Sequence, residues 1–285
     1  MGAPGAGPCP IVRPLFILSS PRSGSSLLFQ TLAQAPGVFT IGGESHGLIE
    51  AIPGLHPVSR GWTSNRLLAA DATPPVVTAL TQGFHAALRD RDGRPPAGPA
   101  RMIEKTPKNS LRVPFLAAAF PDASYLYLYR DARETMSSMI EAWESGRFVT
   151  YPRLPDWPGN PWSLLLVPGW REVAGRPLPE IVAHQWATTM TVLLDDLEAL
   201  PPSIVRSVSY KDVLADPQHR VAALAADIGV GWDRSLPAQL PLSPTVVSAP
   251  TPQKWKRHED VIAGIWPIVA RVDARARAAL ERFAP

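Results

Sequence analysis

Short apolar runs alternate with amphipathic stretches along this chain. Ile11–Leu18 is an apolar run that reads as a buried strand with its centre at Leu15–Leu18, and Arg101–Glu104, Tyr125–Tyr129 and Ile204–Val208 are further strand candidates. Between and beyond them, apolar residues recur at helical spacing over Ser25–Ala35, Pro75–Arg89, Ser110–Ala119, Ala132–Glu144, Ile181–Ala199, Pro217–Ile228 and Val261–Phe283. Strands that alternate with helices predict an α/β fold, a parallel sheet flanked by helices on both faces. One helix separates Arg101–Glu104 from Tyr125–Tyr129, as a crossover between parallel strands requires. Residues 143–180 break this pattern: Trp143, Trp157, Trp162 and Trp170 stand among frequent prolines with little periodicity. So many aromatics argue against disorder. A long irregular segment inside a compact domain predicts a functional lid, or else a small packed subdomain.

In open α/β sheets ligands lie beyond the carboxyl ends of the strands. Arg22, Lys105 and Arg130 each follow a strand candidate, so they are expected at one edge although distant in sequence. The first strand runs through Pro21-Arg-Ser-Gly-Ser-Ser26 into a helix start. A strand, a small-residue turn and a helix N-terminus make an anion cradle, with free N–H groups and the helix dipole facing the ligand. Gly24 permits close backbone approach, Ser25 and Ser26 add hydroxyl donors, and Arg22 adds a fork suited to phosphate or sulfate. Ser25 follows Gly24 where a nucleoside-triphosphate loop has Lys, so the usual equipment for magnesium and a γ-phosphate is missing.

Composition narrows the partners. A net charge of +3 with 19% charged residues is too dilute for a nucleic-acid surface. The cations sit instead at the ends of predicted elements, which suits a small polyanion. No apolar run reaches the roughly 18 residues of a membrane span. Residues 1–10 read as a disordered lead-in rather than a secretory signal, followed by a single domain over 11–285. The one cysteine, Cys9, lies in that lead-in, and a reducing, cytoplasmic setting is expected. The six histidines show no HxxxH or HxH spacing, so no metal site is expected.

With these motifs in place, the chain resembles the sulfotransferase superfamily, whose donor is 3′-phosphoadenosine-5′-phosphosulfate (PAPS) and whose nucleotide product is PAP. Pro21–Ser26 is similar to its 5′-phosphosulfate loop, in the Arg variety of tyrosylprotein and many bacterial sulfotransferases. Gly43-Glu-Ser45 resembles the segment that carries the catalytic base of tyrosylprotein sulfotransferases, and Glu104-Lys-Thr-Pro-Lys-Asn109 resembles the segment that places a Lys near the transferred sulfonyl. Tyr129–Met139 resembles the 3′-phosphate motif, with Arg130 at a strand end and Ser138 eight residues on. Tyr210-Lys-Asp and Lys254-Trp255 are similar to the segments whose Tyr lies near the nucleotide and whose Lys-Trp closes over it. These matches run in order over about residues 14–257. Tyrosylprotein sulfotransferases have a second Arg at the position of Ala142 and a Ser at that of Gln253, and both departures count against a protein tyrosine acceptor.

The resemblance implies a P-loop-like sulfotransferase fold and sulfonyl transfer from PAPS to an acceptor hydroxyl without metal. Catalysis would fall to Glu44, Lys105, Arg22 and His46. Glu44 is the expected base, with a pKa raised by the facing anion. His46 is the rival, since histidine titrates near neutrality. Lys105 is placed to offset charge on the leaving oxygen. The donor would be held by Arg22, Ser23, Gly24, Ser25, Ser26, Arg130, Ser138, Tyr210, Lys254 and Trp255, with Asp131 as an N-cap and Lys108 as a structural or peripheral residue. The Trp-rich segment as an acceptor-covering lid suggests a small apolar or aromatic alcohol. The alternatives are a peptide acceptor in a protein-tyrosine sulfotransferase, a nucleotide kinase with a degenerate loop, and an inactive nucleotide-binding module.

Overall fold

The computed structural model describes residues 10–159, 161–243, 245–248 and 253–284. Cys9 and the lead-in expected over residues 1–10 therefore lie outside the described residues, except for Pro10.

The first strand, β1 (Leu15–Leu18), is buried at every position, as an apolar strand covered on both faces must be. It lies between β3 (Arg101–Lys105) and β4 (Ser124–Tyr129). With β2 (Val38–Phe39) outside β3, and β7 (Val205–Ser209) outside β4, these form a five-stranded sheet in the order β2-β3-β1-β4-β7. All four pairings are parallel, with Phe16 opposite both Glu104 and Tyr125. The α/β expectation thus holds, and Arg101–Glu104 and Tyr125–Tyr129 flank β1 rather than each other.

Helices cover both faces. Leu27, Leu28 and Leu32 of α1 (Ser25–Leu32) and Val221 and Leu224 of α8 (Pro217–Asp227) pack with Leu15, Ile17 and Leu126 on one face. The larger core, around Phe16, Tyr125 and Tyr127, takes in Phe84 of α3 (Pro74–Ala87) and Phe115 of α4 (Val113–Ala119). It also takes in Met136 of α5 (Ala132–Glu144), Trp186 of α6 (Leu178–Glu198) and Ile265 of α9 (Glu259–Arg282). Asp131 caps α5 by accepting bonds from the N–H groups of Arg133 (2.9 Å) and Glu134 (3.3 Å), as the sequence predicts.

Some bounds differ. Helix α1 stops at Leu32 rather than Ala35. The helix expected from Ser110 splits into a 3-10 turn, Pro107–Leu111, and α4: Arg112 leaves helical geometry, and Pro114, which has no N–H to donate back to Ser110, falls in the first turn of α4. Two short helices, α2 (His46–Glu50) and α7 (Tyr210–Ala215), carry too few residues to show periodicity. Residues 143–180 hold a two-stranded antiparallel pair, β5 (Val149–Tyr151) with β6 (Trp162–Ser163). Trp162 and Trp170 are fully buried and, with Trp143 and Trp157, form a cluster of edge-on or tilted ring contacts with centroids 4.8–6.5 Å apart. One side of this segment, including Phe148, Tyr151 and Leu164, faces the cleft at the carboxyl ends of the strands.

Candidate active site

The turn after β1 is held from below. Ser110 Oγ donates to the Ser19 carbonyl (2.7 Å) and accepts from Ser19 N–H (3.1 Å), and Ser20 and Ser23 hydroxyls meet at 2.8 Å. Arg22 and Gly24 take left-handed backbone angles, φ 68° and 89°, which swing the chain into α1. Glycine is required at position 24 for a second reason: a Cβ there would fall deep inside the contact distance of the Tyr210 ring. The first N–H groups of α1 have no intrahelical acceptor and open toward the cleft with Gly24, Ser25 and Ser26. Ser23 is buried beneath them and does not line the cleft.

Lys105, at the end of β3, reaches up to this turn. Its Nζ donates to Ser26 Oγ (3.0 Å) and to Glu44 Oε1 (2.6 Å), and His46 Nδ1 lies 3.6 Å from Glu44 Oε2. Ser26, Glu44, His46 and Lys105 therefore meet, although they come from three separate segments. Partial burial pushes the Glu44 carboxyl up. Hydrogen bonding from His46 and the charge and hydrogen bond of Lys105 outweigh this and bring it down to about 2. The direction is opposite to the sequence expectation because the nearest charge to Glu44 is the Lys105 ammonium.

A second group of expected residues meets on the other side of the turn. Arg130 Nη1 donates to the Arg22 carbonyl (2.8 Å), its Nε pairs with Glu134 (3.1 Å), and its guanidinium lies 5.1 Å from the Tyr210 ring centre. Arg22 reaches Ser138 Oγ through Nε at 3.4 Å and stacks on Phe148 at 4.5 Å. Burial, then the like charge of Arg130, lowers Arg22 to about 10, still cationic at neutral pH. Arg22 thus points toward Ser138, while Lys105 is the cation beside Glu44. Burial raises the Tyr210 hydroxyl, so it stays a neutral donor.

Lys254 and Trp255 complete the cleft wall. Lys254 Nζ bonds Glu141 Oε2 (2.7 Å) and Ser248 Oγ, and Arg257 holds the other Glu141 oxygen (2.7 Å). Trp255 lies 5.6 Å from the Arg133 guanidinium, which also stacks on Trp266 at 4.4 Å.

Residues that sequence reasoning missed belong to this site. Glu141 lies one helical turn beyond Ser138, an i, i+3 relation that placed it on the same face. Glu50 accepts both oxygens' bonds from Lys108 (2.9 Å each) and one from Arg112 (2.6 Å), and Lys108 also reaches Tyr151 Oη (3.2 Å). Lys108 and Arg112 are buried four residues apart, and Lys108, Glu50 and Tyr151 line the cleft near His46. The whole cleft measures about 1370 Å³, and its mouth carries the exposed apolar side chains Val149, Leu214 and Leu242. Among the described residues no group of three or more His, Cys, Asp and Glu is placed to hold a metal, and no helix is long and apolar enough to cross a membrane.

The sequence model of the sulfotransferase family matches residues 14–158. Protein-tyrosine sulfotransferase A of Caenorhabditis elegans is 24% identical over 226 residues, 77% of this chain and 50% of that protein. The chain thus spans half the length of that curated relative. Among solved structures, a sulfotransferase from Alicyclobacillus acidocaldarius superposes with a TM-score of 0.49 at 16% identity, covering 93% of this chain and 96% of that one. The sulfotransferase domain of the curacin biosynthetic pathway gives 0.47 at 19% identity, over 78% and 75% of the two chains.

Proposed function

This chain belongs to the sulfotransferase family, and on that premise we propose that it transfers a sulfonyl group from PAPS to the hydroxyl of a small apolar or aromatic acceptor. The observation that carries the reading is the meeting of a carboxylate and an ammonium, Glu44 and Lys105, with Ser26 at the open start of α1. Sulfuryl transfer resembles phosphoryl transfer: nucleophile and leaving oxygen lie in line, and the protein positions the partners and neutralises charge. Glu44 takes the acceptor's proton as its oxygen bonds to sulfur. The bond from sulfur to the bridging oxygen breaks, and Lys105 offsets the negative charge that PAP carries away. A carboxylate at about 2 is a weak base, so Lys105 must leave it for the leaving oxygen before it gains strength. Donor binding would thus precede proton transfer. His46, beside Glu44, is the second candidate base.

The Gly24 turn suits a 5′-phosphate, because it brings the free N–H groups at the start of α1 and the Ser25 and Ser26 hydroxyls to the cleft. Arg130, Arg22 and Ser138 suit the 3′-phosphate, with Lys254 and Trp255 at its rim. The apolar mouth and the Phe148–Tyr151 wall favour an apolar acceptor. No step needs a metal, and a cytoplasmic setting goes with this reading. The relative that acts on protein tyrosine supports a peptide acceptor as the second reading.

Calorimetric titration with PAP, beside ATP and AMP, tests the donor. Tight, magnesium-independent PAP binding with weak ATP binding is expected. Preference for ATP with magnesium would refute it in favour of a kinase, and PAP binding without transfer to any alcohol or acidic tyrosine peptide would point to an inactive nucleotide-binding module.

A further inference from the structure

Glu104 is wholly buried at the end of β3, on the face that its register partner Phe16 shares with the larger core. An apolar side chain would fill such a place at lower cost, since a buried carboxyl must be matched by donors. Here three donors converge: Ser45 Oγ (2.7 Å) and Thr106 Oγ1 (2.5 Å) on one oxygen, Asn109 Nδ2 (2.7 Å) on the other. Burial raises the carboxyl, and these bonds offset only part of that rise. Ser45 is fastened twice, because its N–H also donates to Thr106 Oγ1 (2.7 Å). From Gly42 to Gly47 every residue is exposed except Ser45. Glu44 is tied to β3 only through the part-buried pairing with Lys105, whereas Ser45 is tied through buried bonds.

The contacts form a ladder. Strands β2 and β3 pair at Val38–Arg101 and Phe39–Met102. Past the end of β2 the chain turns back, so side chains meet the end of β3 in reverse order: Ser45 with Glu104 on the core side, then Glu44 with Lys105 on the cleft side. Consecutive loop residues thus meet consecutive strand residues, and the buried rung fixes the register of the exposed one. We propose that Glu104, acting through Ser45, is a positioning residue that sets Glu44 against Lys105. A buried polar network satisfied at every donor rigidifies what it joins, and a displacement of about 1 Å in a reacting group lowers rate about 100-fold. The inference rests on the proposed role of Glu44 only for its kinetic readout.

The test compares Glu104→Gln, Ser45→Ala and the double variant in the full chain. Glu104→Gln keeps the volume but turns an amide N–H₂ toward the donor of Asn109. With 2-naphthol as acceptor probe, kcat is expected to fall about 10- to 100-fold, while PAP affinity and acceptor KM stay within about threefold. The double variant should be no worse than the weaker single one, because both act through one contact. Independently of activity, acetic anhydride should label Lys105 faster in each variant, read by peptide mass spectrometry, since its Glu44 partner is displaced. Thermal melting confirms folding, and Ser45→Ala, which removes one hydroxyl, serves if Glu104→Gln does not fold. Unchanged kcat and unchanged labelling in a folded variant would overturn the proposal, as would equal losses in kcat and PAP affinity. If the native protein binds no PAP, the functional reading fails while the labelling still decides this one.

Discussion

The two ends of the cleft are held by different means. At the Gly24 end, β1, the turn and α1 are one contiguous stretch. The groups at the cleft surface there are main-chain N–H groups and hydroxyls, and their places follow from left-handed backbone at Arg22 and Gly24. At the α5 end, Glu141 gathers Ser248, Lys254 and Arg257, partners 107 to 116 residues away in sequence. The first end is preformed by covalent geometry that one substitution can ruin. The second is an arrangement of charges, adjustable and tolerant. A carboxylate sits there among cations that an incoming phosphate would also attract.

The largest effect should come from the proposed base, which pairs with Lys105 beside the Gly24 end. Glu44→Gln should lower turnover by about 10²-fold or more, the scale of a general base, with PAP binding retained; near-native turnover would transfer the role to His46. The same variant carries a pH signature. The folded carboxyl is held down to about 2, below its ordinary value of 4.5, so its pairing with His46 and Lys105 stabilises the fold above pH 4.5 and this is lost as pH falls toward 2. The stability difference between native protein and Glu44→Gln should therefore shrink over that window in denaturant titrations. A constant difference would mean that Lys105 does not hold the carboxylate in solution.

Gly24→Ala attacks the preformed end. Left-handed backbone costs a residue with Cβ about 1–3 kcal/mol, and the collision with Tyr210 adds to it. Lower thermal stability and loss of PAP binding are expected; native-like binding would show that the turn is not the phosphate cradle. Arg130→Ala should weaken PAP about 10-fold or more, the scale of a bond to a charged group, and adenosine 5′-phosphosulfate much less. Equal losses in calorimetry would refute the 3′-phosphate assignment. The smallest effect belongs to the adjustable end. Glu141→Gln leaves Lys254 and Arg257 without their carboxylate, so stability should drop slightly and PAP should bind about two- to fivefold tighter. Weaker binding would make Glu141 a support for Lys254 instead of a competitor, and the contrast between the ends would collapse.

Much of the fold was legible because its strands are unbroken apolar runs and its longer helices carry a clear period. Leu15–Leu18 and Ala132–Glu144 coincide with the observed elements. Short elements such as β2 and α2 were not, since two or five residues define no period. In the site, Arg22, Lys105 and Arg130 were legible as charged residues just past predicted strands, whereas Glu44 stood out only through the resemblance of Gly43-Glu-Ser45 to a family segment. Glu104 was not: inside a strand it looks like any edge charge, and only the fold shows that Ser45, Thr106 and Asn109 close around it.

The sequence by itself determined the parallel sheet, the strand–turn–helix at Gly24 and the convergence of cations at one sheet edge, because each depends on residues close together or on a general property of parallel sheets. Which carboxylate meets which cation was decided only by the tertiary structure. Glu44 could have faced Arg22 or Lys105, and Lys254 solvent or Glu141. Contacts between side chains 61 and 113 positions apart depend on angstrom-scale packing of whole elements, and no local pattern encodes those distances.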